Sequence, residues 1–129
     1  MSIRSDKVAA TIRRALQEAI ARGVHDPRVR GLVTITEVRL SPDLRDAVVR
    51  VSVFPESAEE LTLHGLRSAA GVLRREIGDA VRLKRLPTLA FELDDTLKRQ
   101  ARVLSAIARA REETGETDEP IEDDRSEAS

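Results

Sequence analysis

Val8, Ile12, Ala15, Leu16, Ala19 and Ile20 recur at three- and four-residue spacing, while Arg13, Arg14, Gln17 and Glu18 fill the other faces. That period predicts an amphipathic helix, with Ser5 as its expected N-cap and Gly23 where a C-terminal cap belongs. Val24 to Arg28 reads as a loop, because Pro27 disfavours a helical conformation at Asp26. Leu32 to Leu40 is rich in Val, Ile and Thr and predicts a strand. Its apolar parity changes between Val33/Ile35 and Val38/Leu40, which predicts a bulge near Glu37. After the turn signal Ser41-Pro42-Asp43, Ala47 to Phe54 alternates strictly, with Ala47, Val49, Val51 and Val53 toward a core. The short link makes the two strands an antiparallel pair.

Pro55 stops the second strand, and Ser57-Ala58-Glu59-Glu60 fits a capping box. A helical pattern then runs through Leu61, Leu63, Leu66, Ala69 and Ala70, meets Gly71, and continues through Val72, Leu73, Ile77, Ala80 and Val81. Leu86-Pro87 ends it, and Thr88 to Leu93 is a third strand with Leu89, Phe91 and Leu93 on one face. Asp94-Asp95-Thr96 offers a cap for a last helix through Ala110, with a stripe of Leu97, Ala101, Leu104, Ile107 and Ala108. From Glu113 the chain is polar and aperiodic, and disorder is expected. The order α-β-β-α-α-β, with an extra C-terminal helix, fits an α+β fold with helices on one face of a three-stranded sheet.

Composition sharpens this picture mainly through charge. The 129 residues sum to a net charge of −1, yet the two ends of the chain differ. Up to Arg111 there are 21 Lys and Arg against 14 Asp and Glu, a net of +7, whereas residues 112–129 hold nine acids and only Arg125, a net of −8. A basic body of residues 1–111 and an acidic tail of residues 112–129 point to a polyanionic partner for the body. The competing reading is an arginine-rich composition that merely solvates helix faces. There is no cysteine, which excludes disulfides and thiolate chemistry. The start lacks a signal-peptide apolar stretch and no apolar run suffices for a membrane span, so a cytoplasmic protein without a membrane partner is expected. Phe54 and Phe91 are the only aromatic residues and both sit in strand-like runs. RNA binding would then use backbone charge and an aliphatic groove rather than stacking on rings.

The candidate binding residues fall in three places. Ala69-Ala70-Gly71 marks the joint of two helical halves, where small side chains admit a close nucleic-acid backbone; Arg74 and Arg75 follow within a turn. Against this stands a plain kinked helix. Arg82, Lys84 and Arg85 form a second cluster, which cations favourably placed near a helix C-terminus would equally explain. Arg13 and Arg14 on the first helix complete the set. His25 beside Asp26, with Glu37 and His64, invites a general acid/base or metal proposal, but no ligand spacing such as H-E-x-x-H exists. Surface or capping histidines are the better reading, and no enzyme, cofactor or metal is expected.

Several segments together resemble the ribosome-binding factor A family: Asp26-Pro27-Arg28, Val33 to Val38, Ser41-Pro42-Asp43-Leu44, Ala47 to Val53, Ala69 to Glu76 and Leu83 to Phe91. Their order and spacing over roughly residues 4 to 107 carry the likeness. It implies a type II KH-like domain in which an Ala-x-Gly kink, matched by Ala69-Ala70-Gly71, replaces the Gly-x-x-G clamp; none of the six glycines here is spaced to form that clamp. It further implies binding to the small ribosomal subunit and its 16S rRNA near the 5′-terminal helix, late subunit maturation, exclusion of immature subunits from translation, and a part in cold adaptation. A monomer without a small-molecule substrate is expected. The competing function is a protein-interaction module whose arginines meet an acidic protein.

Overall fold

A computed structural model describes residues 3–115. Its elements are α1 (Ile3–Arg22), β1 (Leu32–Leu40), β2 (Asp46–Phe54), α2 (Glu59–Ser68), α3 (Ala70–Glu76), β3 (Thr88–Leu93) and α4 (Thr96–Thr114), with single 3₁₀ turns at Glu56–Ala58 and Ile77–Asp79. The chain divides into two compact units, Met1–Asp94 and Asp95–Ser129. The sequence pattern, by contrast, carries one domain to Arg111.

In the first unit the strands lie in the order β1-β2-β3. β1 and β2 are antiparallel, and β2 and β3 are parallel. The register slips between Ile35 and Glu37, which is the bulge that the parity change predicts. Ala47, Val49 and Val51 are fully buried, and with Ile35, Leu89 and Phe91 they meet Ile12 and Leu16 of α1, Leu66 of α2 and Leu73 of α3. The helices therefore cover one face of the sheet. On the other face Glu37 pairs with Arg39 at 2.9 Å and lies 3.9 Å from Arg50, which in turn stands 3.7 Å from Glu92. This ladder spans all three strands and favours the observed register.

Both sheet edges meet helix side chains. The Gln17 amide donates to Val33 O at 3.0 Å and accepts from Ile35 N–H at 2.8 Å, mimicking a neighbouring strand along β1. At the other edge Arg67 Nε donates to Phe91 O at 3.1 Å. Thr62, fully buried, donates to Arg30 O and accepts from Arg30 N–H, so α2 is locked to the loop before β1. Gly65 makes this approach possible, since a Cβ there would stand 2.7 Å from Val29 Cγ2.

Helices α1, α2 and α4 differ at their ends from the sequence expectation. α1 begins at Ile3, which puts Ser5 inside the first turn rather than at the cap. The Ser57 capping box is not used: the chain leaves Pro55 through a 3₁₀ turn, and α2 starts after Ala58 without a side-chain cap. α4 follows Asp95, whose carboxylate pairs with Arg99 at 3.2 Å instead of capping the helix. It runs beyond Ala110 to Thr114, where Gly115 ends it at φ +80°. Glu112 to Thr114 are thus helical rather than part of a disordered tail, because glutamate favours helix and the terminator is the glycine. The rest of that expectation falls on residues 116–129, outside the described residues.

Candidate nucleic-acid interface

The joint between α2 and α3 sits at Ala69 (φ −88°, ψ 1°), two positions before Gly71. Gly71 itself keeps an ordinary negative φ inside α3. A Cβ on it would meet only Arg75 Nη1, at 3.9 Å. The bend therefore falls at Ala69 and does not need glycine. What glycine leaves there is a strip of bare, exposed backbone next to half-buried Ala69 and Ala70. α3 has seven residues, too few turns for its dipole to make a phosphate site at its N-terminus.

Beside the joint lies a groove with Val24, Ala69, Val72 and Leu73 in its lining and Asp26 and Glu76 as its carboxylates. Arg28 is committed within this region. It forms a two-point pair with Asp26 at 3.0 and 2.7 Å and donates to Ser68 Oγ at 2.7 Å. The Arg28 side chain, and then its backbone N–H, hold the Asp26 carboxyl down at about 2. This groove is therefore unsuited to phosphate, although His25 also lines it.

Arg74 faces away from the role expected of it. Its Nε donates to Leu86 O and Pro87 O at 3.1 Å each, and its Nη2 donates to Leu86 O at 2.6 Å. It is half-buried and ties α3 to the segment before β3, whereas Arg75, its neighbour, is exposed.

The helical pattern drawn through Ala80 and Val81 ends sooner than expected: α3 stops at Glu76, and the 3₁₀ turn stops at Asp79. Arg82, Lys84 and Arg85 consequently lie on a loop, and favourable placement at a helix C-terminus does not account for them. Val81 and Pro87 are buried, and Leu83 and Leu86 are half-buried. These apolar anchors turn the three cations outward. They line one cleft with Arg4 and Arg45, two residues absent from the sequence-based set. Arg45 arrives there because β2 and β3 are parallel and enter the sheet at the same end: Thr88 N–H donates to Arg45 O at 2.9 Å. No local sequence signal announces that neighbour. Arg4 had a signal, since Arg4, Lys7, Thr11 and Arg14 recur at helical spacing along one stripe of α1. Lys7 and Thr11 share a hollow with Arg82. Arg14 follows on that stripe, but Arg13 is about 100° round the helix. Arg13 lies one turn before Gln17 and so on the β1 side.

The two phenylalanines part company. Phe91 is in the core at 1% exposed, whereas Phe54 is 73% exposed on the open sheet face opposite Leu32. The sequence carried a signal for this exposure, because Phe54 has the outward parity of β2. It stands at the far end of that strand from Arg45, about 30 Å away at strand rise. Glu37 is held in the sheet's ion-pair ladder, apart from the groove that His25 and Asp26 line. Among the described residues no group of three or more His, Asp or Glu is arranged to hold a metal, and no helix is long and apolar enough to cross a membrane.

Residues 4–107 match the family model described as ribosome-binding factor A. A curated ribosome-binding factor A from Anaeromyxobacter sp. (strain Fw109-5) is 41% identical over 110 residues, covering 84% of this chain and 90% of the relative. The crystal structure of ribosome-binding factor A from Thermus thermophilus superposes with a TM-score of 0.62 at 37% identity, covering 69% of this chain and 93% of that one. A Thermus thermophilus ribosome-binding factor A homology model, fitted into the cryo-EM map of a 30S complex, gives 0.57 at 38% identity over 67% and 91%. The α+β arrangement described above is thus the KH-like fold of these proteins.

Proposed function

The chain belongs to the ribosome-binding factor A family, and from that premise we propose that it binds free small ribosomal subunits through their 16S rRNA and assists their late maturation in the cytoplasm. In this reading it contacts the rRNA near the 5′-terminal helix, keeps immature subunits from translating, and matters most in the cold. It acts as a monomer by binding alone, with no catalytic step. Residues 1–111 serve as the RNA-binding domain and residues 112–129 as an acidic tail.

The observation that carries the RNA reading is the concentration of cations from separate segments on one cleft, with Asp43 the one carboxylate lining it among the described residues. Polyphosphate is the partner such a surface fits. Arg75 lies beside the bare backbone of Gly71 and Arg14 on the α1 stripe, and in this reading both also meet RNA. Arg13, on the other side of that helix, is the weakest member of the proposed set.

Sedimentation of the full chain with purified small subunits tests the proposal. Association should fall as salt rises, with a log–log slope of about −0.7 per phosphate neutralised on single-stranded RNA. A salt-independent association would favour a protein partner instead.

A further inference from the structure

We infer that Arg4, Arg45, Arg82, Lys84 and Arg85 act as one clamp on the sugar–phosphate backbone of RNA, and that Arg74 is the positioning residue that holds the loop 82–87, which carries three of these cations. The inference rests on the RNA-binding reading above and assigns it a site.

Three separate segments build the clamp. Arg4 comes from the start of α1, Arg45 from the turn before β2, and the remaining cations from the loop before β3. Chain pairing brings the last two together, since Asp46 is the register partner of Thr88. The turn that presents Arg45 is itself well defined. Leu44 sits at φ +61°, Ser41 Oγ donates to Asp43 Oδ1 at 2.7 Å, and Arg45 N–H donates to the same oxygen at 3.1 Å. Asp43 is thereby occupied. Its other oxygen stands 3.9 Å from Arg45 Nε, both side chains being more than 60% exposed. A pair so long and so wet leaves the guanidinium available to an anion.

The lining also says what kind of contact forms. Its apolar residues are Leu44 and Leu83, and no aromatic ring lines it. Without a ring platform the contact is dominated by cations along the strand, so the clamp reads charge and not sequence. Arg74 contributes from behind. With its Nε and one Nη donating to the carbonyls of Leu86 and Pro87, it fixes the exit of the loop that carries Arg82, Lys84 and Arg85.

The full chain is titrated with poly(A), poly(U) and purified small subunits over a salt series, for the wild type and for Arg45→Glu/Lys84→Glu, with Arg45→Gln/Lys84→Gln as a milder pair should the first misfold. Folding is checked by circular dichroism melting. Both pairs should bind all three ligands at least tenfold more weakly, with slopes shallower by about 0.7 for each phosphate no longer neutralised. Arg74→Lys keeps the charge but loses the planar guanidinium fork whose Nε and Nη2 together hold the Leu86 and Pro87 carbonyls. It should also flatten the slope, by the equivalent of more than one phosphate; general destabilisation would lower the bound fraction without changing the slope. Wild-type affinity and slope in the folded double variants, while the wild type binds, would overturn the clamp and leave the RNA-binding reading standing. An Arg74→Lys slope equal to wild type would remove the positioning role. A wild type that binds none of the three ligands would overturn both readings.

Discussion

Asp26 joins a loop to a helix through one arginine. Its carboxylate accepts from the Arg28 side chain and from the Arg28 backbone N–H, while Arg28 also reaches Ser68 on α2. The carboxyl therefore titrates at about 2 in the folded protein, below its ordinary value of about 3.9 in an unfolded chain. A depressed carboxyl stabilises the fold fully above the unfolded value and loses that contribution as pH falls toward the folded one. Docking of the 24–30 loop should accordingly loosen between roughly pH 4 and pH 2, and Asp26→Asn should remove that pH dependence. Amide exchange at Val29 and Arg30 across the acid range checks both. Gly71 gives a second prediction at this scale. Beyond its own helix backbone, the nearest atom to a methyl there is Arg75 Nη1 at 3.9 Å, and alanine is the better helix former by about 0.5–1 kcal/mol. Gly71→Ala should raise the midpoint of urea unfolding, and if RNA approaches this backbone it should bind less well.

At the scale of elements, the helix starts separate local chemistry from tertiary demand. Ser57 and Glu60 have the spacing of a capping box, a feature whose serine is typically worth about 1 kcal/mol. The chain instead passes through a 3₁₀ turn and begins α2 after Ala58. Anchoring of α2 by Thr62 on Arg30 and by Gly65 against Val29 sets where the helix begins. Ser57→Ala should thus change the unfolding free energy by less than about 0.5 kcal/mol, the scale of a neutral surface substitution. A loss near the full capping value in denaturant melts would show that the box forms in solution. The strands were more legible: strict alternation identified the buried set of β2 residue by residue, and the parity break at Glu37 located the bulge. Side-chain period in a strand is set by the backbone itself, so burial on one face leaves a direct trace in the sequence.

For the molecule as a whole, charge is divided along the chain. If the body binds RNA as proposed, the nine acids of residues 112–129 should act as a competing polyanion and suppress weak binding more than strong. Deleting residues 113–129 should raise affinity for random RNA several-fold at low salt, an effect that disappears at high salt as screening grows. Filter binding with a random-sequence RNA pool measures it; unchanged affinity would leave the tail as a solubilising segment.

Periodicity and composition alone determined the element order, the core faces of the strands and the basic character of the body, because each of these is written at short range. The joint at Ala69 and the commitment of Arg74 to two carbonyls depended on how the elements pack against one another. The gathering of Arg4, Arg45 and the 82–85 loop is the clearest case. Arg45 and the 82–85 loop are far apart in the chain, and parallel pairing of β2 with β3 brings them to the same end of the sheet, a contact between distant segments that no local pattern encodes.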